Sequence, residues 1–128
     1  MQNDLTLLAV NGTLMRGLEL NSRILEAGGV FTSEAITAPA YRLWSIHDDY
    51  PGMIRDDLSG SGIAVELWEL PDRGIYQLIR DEPEGLCLGK VTLSDGRVML
   101  GILAEAYILE DCREITRFGG WREYLQSK

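Results

Sequence analysis

The residues best suited to chemistry in this chain follow its first apolar run. Leu5 to Val10 predicts a buried strand, and Asn11-Gly12-Thr13-Leu14-Met15-Arg16-Gly17 comes directly after it. A glycine-bearing turn after a strand can aim several backbone N–H groups outward, and such donors hold a carboxylate or a developing oxyanion. The sequence therefore predicts an anion-binding cradle at Asn11, Gly12, Thr13 and Leu14, although a turn of this kind also serves as a simple connection.

Charged side chains near the cradle and in a later segment could complete a reactive site. Arg16 could pair with an anionic substrate through two hydrogen bonds, or could cover the first helix as a surface arginine. Glu82 and Glu84 belong to the acidic run Asp81-Glu82-Pro83-Glu84. A carboxylate near a partly buried cradle can have its pKa raised by desolvation and by neighbouring acids, and can then move a proton between an amine and a leaving group. A solvated acidic turn is the alternative interpretation.

Composition and charge limit the classes of function. A chain of 128 residues with 45% hydrophobic content predicts one domain, over 1–128, with a core of its own. Its 20 acidic and 12 basic residues give a net charge of −8, which repels phosphate backbones and anionic lipids. Because no segment approaches the roughly 18 apolar residues of a membrane span, we expect a cytoplasmic protein that binds neither nucleic acid nor membrane.

The cysteine and histidine content argues against a metal site. Cys87 and Cys112 lie far apart, without another Cys or a His beside them, and are predicted to be buried free thiols. His47 is the only histidine, so a zinc cluster of the usual type cannot form. A catalytic triad would need Ser45 and Asp48 or Asp49 to face His47, which sequence neighbours seldom do. We therefore expect no metal and no cofactor.

Hydrophobic periodicity and turn residues predict the elements that position these groups. Leu18, Ile24 and Leu25 predict the inner face of a helix that ends at Gly28-Gly29. The other predicted elements are strands at 30–38, 41–46 and 62–70, a surface loop at 47–62, a helix from Pro71 that ends at Asp81-Glu82-Pro83, a hairpin of 90–93 and 97–108 around Ser94-Asp95-Gly96, and short helices within 111–125. This mixture predicts an α+β, barrel-like domain.

The predicted strand at 62–70 contains a charged residue, Glu66, whose side-chain orientation has two interpretations. Glu66 lies between Val65 and Leu67 and falls on the opposite side of the strand from them. The favoured interpretation is an outward-facing charge, and a side chain that points into a cavity is the alternative.

Five motifs, in order along the chain, give the sequence a resemblance to known proteins. They are Asn11-Gly12-Thr13-Leu14 with Gly17 and Leu20-Asn21, then Ala38-Pro39-Ala40-Tyr41-Arg42-Leu43, Gly62-Ile63-Ala64-Val65-Glu66-Leu67-Trp68-Glu69-Leu70-Pro71, Leu93-Ser94-Asp95-Gly96, and Ile115-Thr116-Arg117-Phe118-Gly119-Gly120-Trp121-Arg122-Glu123-Tyr124-Leu125. With these motifs the chain resembles the γ-glutamylcyclotransferase-like family, and within it most closely the C-terminal domain of allophanate hydrolase. The resemblance spans nearly the whole chain, and its last motif is the most specific.

The resemblance carries expectations about fold and site. It implies a mixed β-barrel with two or three flanking helices, in which the cradle amides hold the substrate. It also implies a proton-transferring glutamate after the second helix. Glu84 matches the Glu-Gly pair of the family, and an offset of two residues would select Glu82 instead. Where the wider family has Tyr before the first glycine, this chain has Asn11, so that phenol is absent.

For function, the resemblance implies a role in urea and nitrogen metabolism. In allophanate hydrolase an amidase domain deaminates allophanate to N-carboxycarbamate, and the small domain promotes loss of CO2. Cyclotransfer of a γ-glutamyl group, which releases 5-oxoproline, is the other activity of the family. Either reaction would use the amides of Gly12 to Leu14, the charge of Arg16, and Glu84 or Glu82 for the proton.

The partners follow from the same resemblance. We expect a small carboxylate or amide as the substrate and a separate amidase protein as a partner. The alternative is a non-catalytic relative that binds a small carboxylate or docks on an amidase. A structural homodimer is a third interpretation.

Overall fold

The computed structural model describes residues 4–128 as an α+β arrangement of two β-sheets and three α-helices, which confirms the predicted fold class. The strands are β1 (Leu5–Val10), β2 (Val30–Ile36), β3 (Tyr41–Ile46), β4 (Tyr50–Arg55), β5 (Ala64–Pro71), β6 (Leu86–Thr92), β7 (Val98–Ala104) and β8 (Arg113–Glu114). The helices are α1 (Asn21–Glu26), α2 (Asp72–Asp81) and α3 (Trp121–Gln126), with 3₁₀ turns at Ala106–Leu109 and Thr116–Phe118. Among residues 4–128, no helix combines the length and apolar character needed to cross a membrane.

The larger sheet places β1 at its centre. Its strand order is β2-β5-β1-β7-β6, with β1 antiparallel to β5 and parallel to β7. The smaller sheet has the order β4-β3-β8. The two outer strands of the larger sheet approach each other through an isolated bridge between Thr37 and Leu93. The sheet therefore curls toward a barrel without closing into one.

The core explains why the cradle is held firmly at the end of β1. Leu8, Ala9 and Val10 are buried, and Leu67 and Trp68 of β5 are buried on opposite faces of the strand beside them. Burial of such side chains stabilises a fold by about 25 cal/mol per Å² of apolar surface. The loop that follows β1 thus starts from a rigid strand.

Helix α2 carries the acidic run to the cradle side of the sheet. Ile75 and Leu78 face inward, and Gly74 is needed because an added Cβ would clash with the backbone oxygen of Ala27. Pro71, predicted as the first residue of this helix, is its N-cap residue, so the helix begins one position later, and Glu82 follows its last residue.

The short helix α1 corrects one predicted core residue. Ile24 is buried, and the chain leaves the helix through Gly28, whose φ is +90°. Leu25 is exposed, in contrast to the prediction. Successive residues of an α-helix are about 100° apart, so Leu25 is rotated away from the core that Ile24 enters.

The predicted surface loop at 47–62 is wrong over its first half. Residues 50–55 form β4, which pairs with β3 around a tight turn at His47 and Asp48, with φ of 54° and 59°. Such turns usually contain Gly or Asn, so the local signal was missing. Instead, the Asp48 carboxylate accepts hydrogen bonds of 2.6 Å from both Ser45 and Tyr124. Pro51 is tolerated because β4 is an edge strand.

Three smaller predictions have mixed outcomes. The hairpin around Ser94-Asp95-Gly96 is confirmed, but its second strand ends at Ala104 and residues 106–109 form a 3₁₀ turn. Cys87 and Cys112 are free thiols as predicted, yet both are half-buried rather than buried. Each thiol bonds a backbone carbonyl, which satisfies it without full burial.

Candidate functional site

A cleft lies beside the predicted cradle, at the end of β1. It is partly open to solvent, and its cavity volume is about 20 Å³. It is lined by residues from the cradle, β4, β6, β7 and the end of α2: Val10, Asn11, Gly12, Thr13, Leu14, Tyr50, Pro51, Glu82, Leu86 and Ile102. The fold therefore brings Glu82 together with the four cradle residues.

The cradle offers backbone donors that the fold does not use. The Gly12 and Thr13 carbonyls accept bonds from the amides of Met15 (3.0 Å) and Leu20 (2.9 Å), which fixes the loop. Within residues 4–128, the N–H groups of Gly12, Thr13 and Leu14 donate to no protein acceptor. Three consecutive free amides beside a cleft are suited to an anionic oxygen.

Gly12 is required where β4 approaches the cradle. A Cβ at this position would lie 2.6 Å from Cδ of Pro51 and 2.8 Å from its Cγ. The proline ring cannot rotate away because it is part of the backbone. The wall of the cleft is therefore formed by direct contact between the first turn and β4.

Asn11 presents an acceptor rather than a donor to the cleft. Its Nδ2 donates to the backbone oxygen of Ile102 at 3.0 Å, and also contacts the sulfur of Met53. Since a carbonyl can only accept, this bond fixes the carboxamide orientation and leaves Oδ1 as the group available to a ligand. Such an acceptor recognises an N–H or O–H group.

Glu82 is the acid that the structure places at the cleft. Its half-buried carboxyl has a raised pKa because burial disfavours the charged form, with Asp81 acting in the same direction and Arg23 opposing it. A raised pKa lets a glutamate keep its proton to a higher pH than usual, which suits a proton donor. Glu84, two residues on, is exposed and does not line the cleft.

Tyr50 is a cleft residue that the sequence analysis did not select. It begins β4, inside the segment predicted as a loop, and its ring is half-buried in the cleft wall. Burial raises the pKa of its phenol, and the negative charges of Asp49 and Glu82 add to the effect. A predicted hairpin of β3 and β4 would have placed Tyr50 on a strand. The turn of this hairpin lacks the glycine that usually marks such turns, so the sequence does not reveal it.

The structure places Arg16 outside the cleft. Its Nε donates to Oε2 of Glu66 at 3.1 Å, its backbone amide to Oε1 of Glu66 at 2.9 Å, and its Nη2 to Glu34 at 3.1 Å. Arg122 completes this group by bonding both Glu66 and the backbone oxygen of Arg16. We call Arg16, Glu34, Glu66 and Arg122 the Glu66 cluster.

The prediction that the Glu66 side chain faces outward is wrong. The side chain is only 1% exposed, since β5 is covered on both faces. Burial alone would raise its pKa, but hydrogen bonds from the Arg16 amide, the Trp68 indole and the Arg16 guanidinium outweigh burial and hold the pKa below its usual value. The cluster therefore carries an ionised, fully bonded carboxylate.

Comparisons with solved structures define the class of protein. The crystal structure of c4763, a protein specific to uropathogenic E. coli, superposes with a TM-score of 0.94 at 51% identity and covers 98% of both chains. The allophanate hydrolase of Kluyveromyces lactis superposes with a TM-score of 0.91 at 27% identity over 97% of this chain and 21% of that one. A γ-glutamyl cyclotransferase superposes with a TM-score of 0.55 at 12% identity and shares the fold alone. The fold is thus γ-glutamylcyclotransferase-like.

Comparisons of sequence identify the family. Urea amidolyase of Saccharomyces cerevisiae is 29% identical over 126 residues. That alignment covers 93% of this chain but only 7% of the length of the yeast protein. Residues 6–126 match the allophanate hydrolase C-terminal domain family. The chain belongs to this family.

Proposed function

We propose that this domain binds N-carboxycarbamate in the cleft and promotes its decarboxylation, with Glu82 as the proton donor. The observation that carries the proposal is the meeting of three free cradle amides with a half-buried glutamate whose pKa is raised. Family membership supports the choice of substrate, because the domain is a part of allophanate hydrolases.

The chemistry needs one proton. N-carboxycarbamate carries two carboxylates on one nitrogen, and its C–N bond resists cleavage while the nitrogen lone pair is delocalised. Protonated Glu82 donates its proton to that nitrogen. The C–N bond then breaks with its electron pair remaining on nitrogen, which releases CO2 and leaves carbamate, and Glu82 regains a proton from water. The Gly12 to Leu14 amides hold the carboxylate that stays.

Asn11 is suited to the nitrogen of the carbamate. Its free Oδ1 is an acceptor at the edge of the cradle and matches the N–H of N-carboxycarbamate. Glu82 rather than Glu84 is the proposed acid, since Glu84 does not reach the cleft.

The test generates N-carboxycarbamate within the assay mixture. Allophanate is mixed with an amidase domain that lacks its C-terminal domain, and CO2 release is followed after addition of this protein. We expect acceleration by the wild type, a loss of about 100-fold or more with Glu82→Gln, and none with the matched control Glu84→Gln. The opposite pattern of the two variants would assign the proton to Glu84.

Two other results would replace the proposal. Release of 5-oxoproline from a γ-glutamyl amine, without CO2 release from N-carboxycarbamate, would indicate cyclotransfer. Ligand binding without any product would indicate the non-catalytic alternative.

Partners and location follow from this proposal. The longer relatives carry most of their length outside the matching region. Because the proposed substrate is the product of an amidase that acts on allophanate, we propose an amidase protein as the partner that supplies it. We propose that both proteins act in the cytoplasm and that this domain needs no cofactor.

A further inference from the structure

Tyr50 lines the cleft and carries a hydroxyl that residues 4–128 leave without a hydrogen bond. Tyrosine hydroxyls that are removed from water usually find a partner. Within the part of the chain from 4 to 128, the Tyr50 hydroxyl makes no hydrogen bond, although the ring lines the cleft next to Glu82 and the cradle. Tyr41 and Tyr124, by contrast, are bonded to the Thr92 amide and to Asp48.

Several contacts hold Tyr50 in this place. The turn before it is fixed by Asp48, which is bonded to Ser45 and Tyr124 and paired with Lys128 at 2.9 Å. The residue after it, Pro51, lies against Gly12. Tyr50 is thus one residue from the point where β4 meets the cradle. Its position is set by the fold and not by a flexible loop.

We propose that Tyr50 is a substrate-binding residue whose hydroxyl donates a hydrogen bond to the second carboxylate of the ligand, while the first lies on the amides of Gly12 to Leu14. The site would then select small dianions with two carboxylates on one central atom. This inference rests on the proposed function, because N-carboxycarbamate belongs to that class.

The electrostatics of the site agree with a donor role. A phenol whose pKa is raised above 10 stays protonated at neutral pH and can donate to a carboxylate. Hydrogen bonds to charged acceptors are stronger than those between neutral groups.

Two probes separate the contributions of the two carboxylates. Malonate has the two carboxylates of N-carboxycarbamate with CH2 in place of NH, and acetate has one. Their dissociation constants are measured for the wild type, for Tyr50→Phe and for the control Tyr76→Phe, whose ring is exposed on α2. We expect Tyr50→Phe to weaken malonate about 10-fold or more and acetate less than about twofold, with Tyr76→Phe unchanged.

The outcomes distinguish this inference from the proposed function. Equal malonate affinity in the wild type and Tyr50→Phe overturns the role of Tyr50 and leaves the cleft proposal standing. Failure of malonate to bind the wild type overturns both. A measurement without any variant uses ring-labelled tyrosine in the wild type: malonate should shift the Tyr50 ring signals and not those of Tyr76, and unshifted Tyr50 signals contradict the inference.

Discussion

Two parts of the loop after β1 differ in whether their polar groups are hydrogen-bonded within the protein. Gly12, Thr13 and Leu14 line the cleft, and among residues 4–128 their amides have no protein acceptor. At Arg16, only two residues after Leu14, the amide, the carbonyl and the guanidinium are all bonded within the Glu66 cluster. The first part is free to bind a ligand, and the second holds the loop on β5 and α3.

This difference separates ligand binding from stability within the five residues from Gly12 to Arg16. A polar group without a protein partner costs stability unless water or a ligand satisfies it, so its retention beside a cleft points to a ligand. A buried carboxylate bonded by two arginines needs no ligand and anchors the loop. The contrast predicts which substitutions destroy the fold and which destroy binding.

The largest effect on stability is expected at Glu66. Glu66→Ala leaves the Arg16 amide, the Trp68 indole and two guanidinium groups without their acceptor, and should lower the free energy of unfolding by about 3 kcal/mol. Urea unfolding measures the change. Glu34→Ala, which removes the exposed partner of Arg16, is the control and should cost less than about 1 kcal/mol. Equal losses in the two variants would show that burial of Glu66 does not matter.

A smaller loss is expected at Gly12. Gly12→Ala forces the new methyl group against the Pro51 ring and should cost about 2 kcal/mol while it closes the cleft to malonate. The double variant Gly12→Ala with Pro51→Ala removes the ring and should recover most of this stability. Additive losses in the double variant would place the strain elsewhere.

Substitution of Arg16 tests the comparison between the cradle and the Glu66 cluster more sharply. Arg16→Ala should cost about 1 kcal/mol, since its side chain is partly exposed, and should leave malonate affinity within about twofold. Titration calorimetry provides the affinity. A loss of 10-fold or more would restore Arg16 as a substrate-binding residue, as the sequence predicts.

The smallest expected effect concerns pH. Because burial raises the pKa of Glu82 above its usual 4.5, the folded state binds the proton more tightly than the unfolded state, and stability falls as pH rises from 4.5 through the raised value. Glu82→Gln removes this penalty. The variant should be more stable than the wild type at pH 7, with a difference that shrinks toward pH 5. Equal stability of the variant and the wild type at pH 7 would contradict this expectation.

Much of this arrangement could be predicted from the sequence, and the failures have physical causes. Strand β1, the turn that follows it and helix α2, which ends at Asp81, follow from local patterns. The hairpin that carries Tyr50 does not, because Asp48 is held in its turn by Tyr124 and Lys128 from the other end of the chain. The alternation of apolar and polar residues predicts a surface position for Glu66. Alternation distinguishes the two faces of a strand, but it does not show that both faces of β5 are covered.

The choice between Glu82 and Glu84 also required the structure. Pro83 separates two acids that are equivalent in composition, and only the path of the chain after α2 turns Glu82 toward the cleft. Distances between the cradle, β4 and α2 are tertiary quantities that no local pattern contains.

The central claim is that the free amides of the cradle bind a small anion. Titration of ¹⁵N-labelled protein with malonate, followed residue by residue in NMR spectra, tests it most directly. We expect the amide signals of Gly12, Thr13 and Leu14 to shift and saturate with one dissociation constant, while the Arg16 amide, bonded to Glu66, shifts little. Saturable shifts at Arg16 without changes at Gly12, Thr13 and Leu14, or no shifts at all, would contradict the claim.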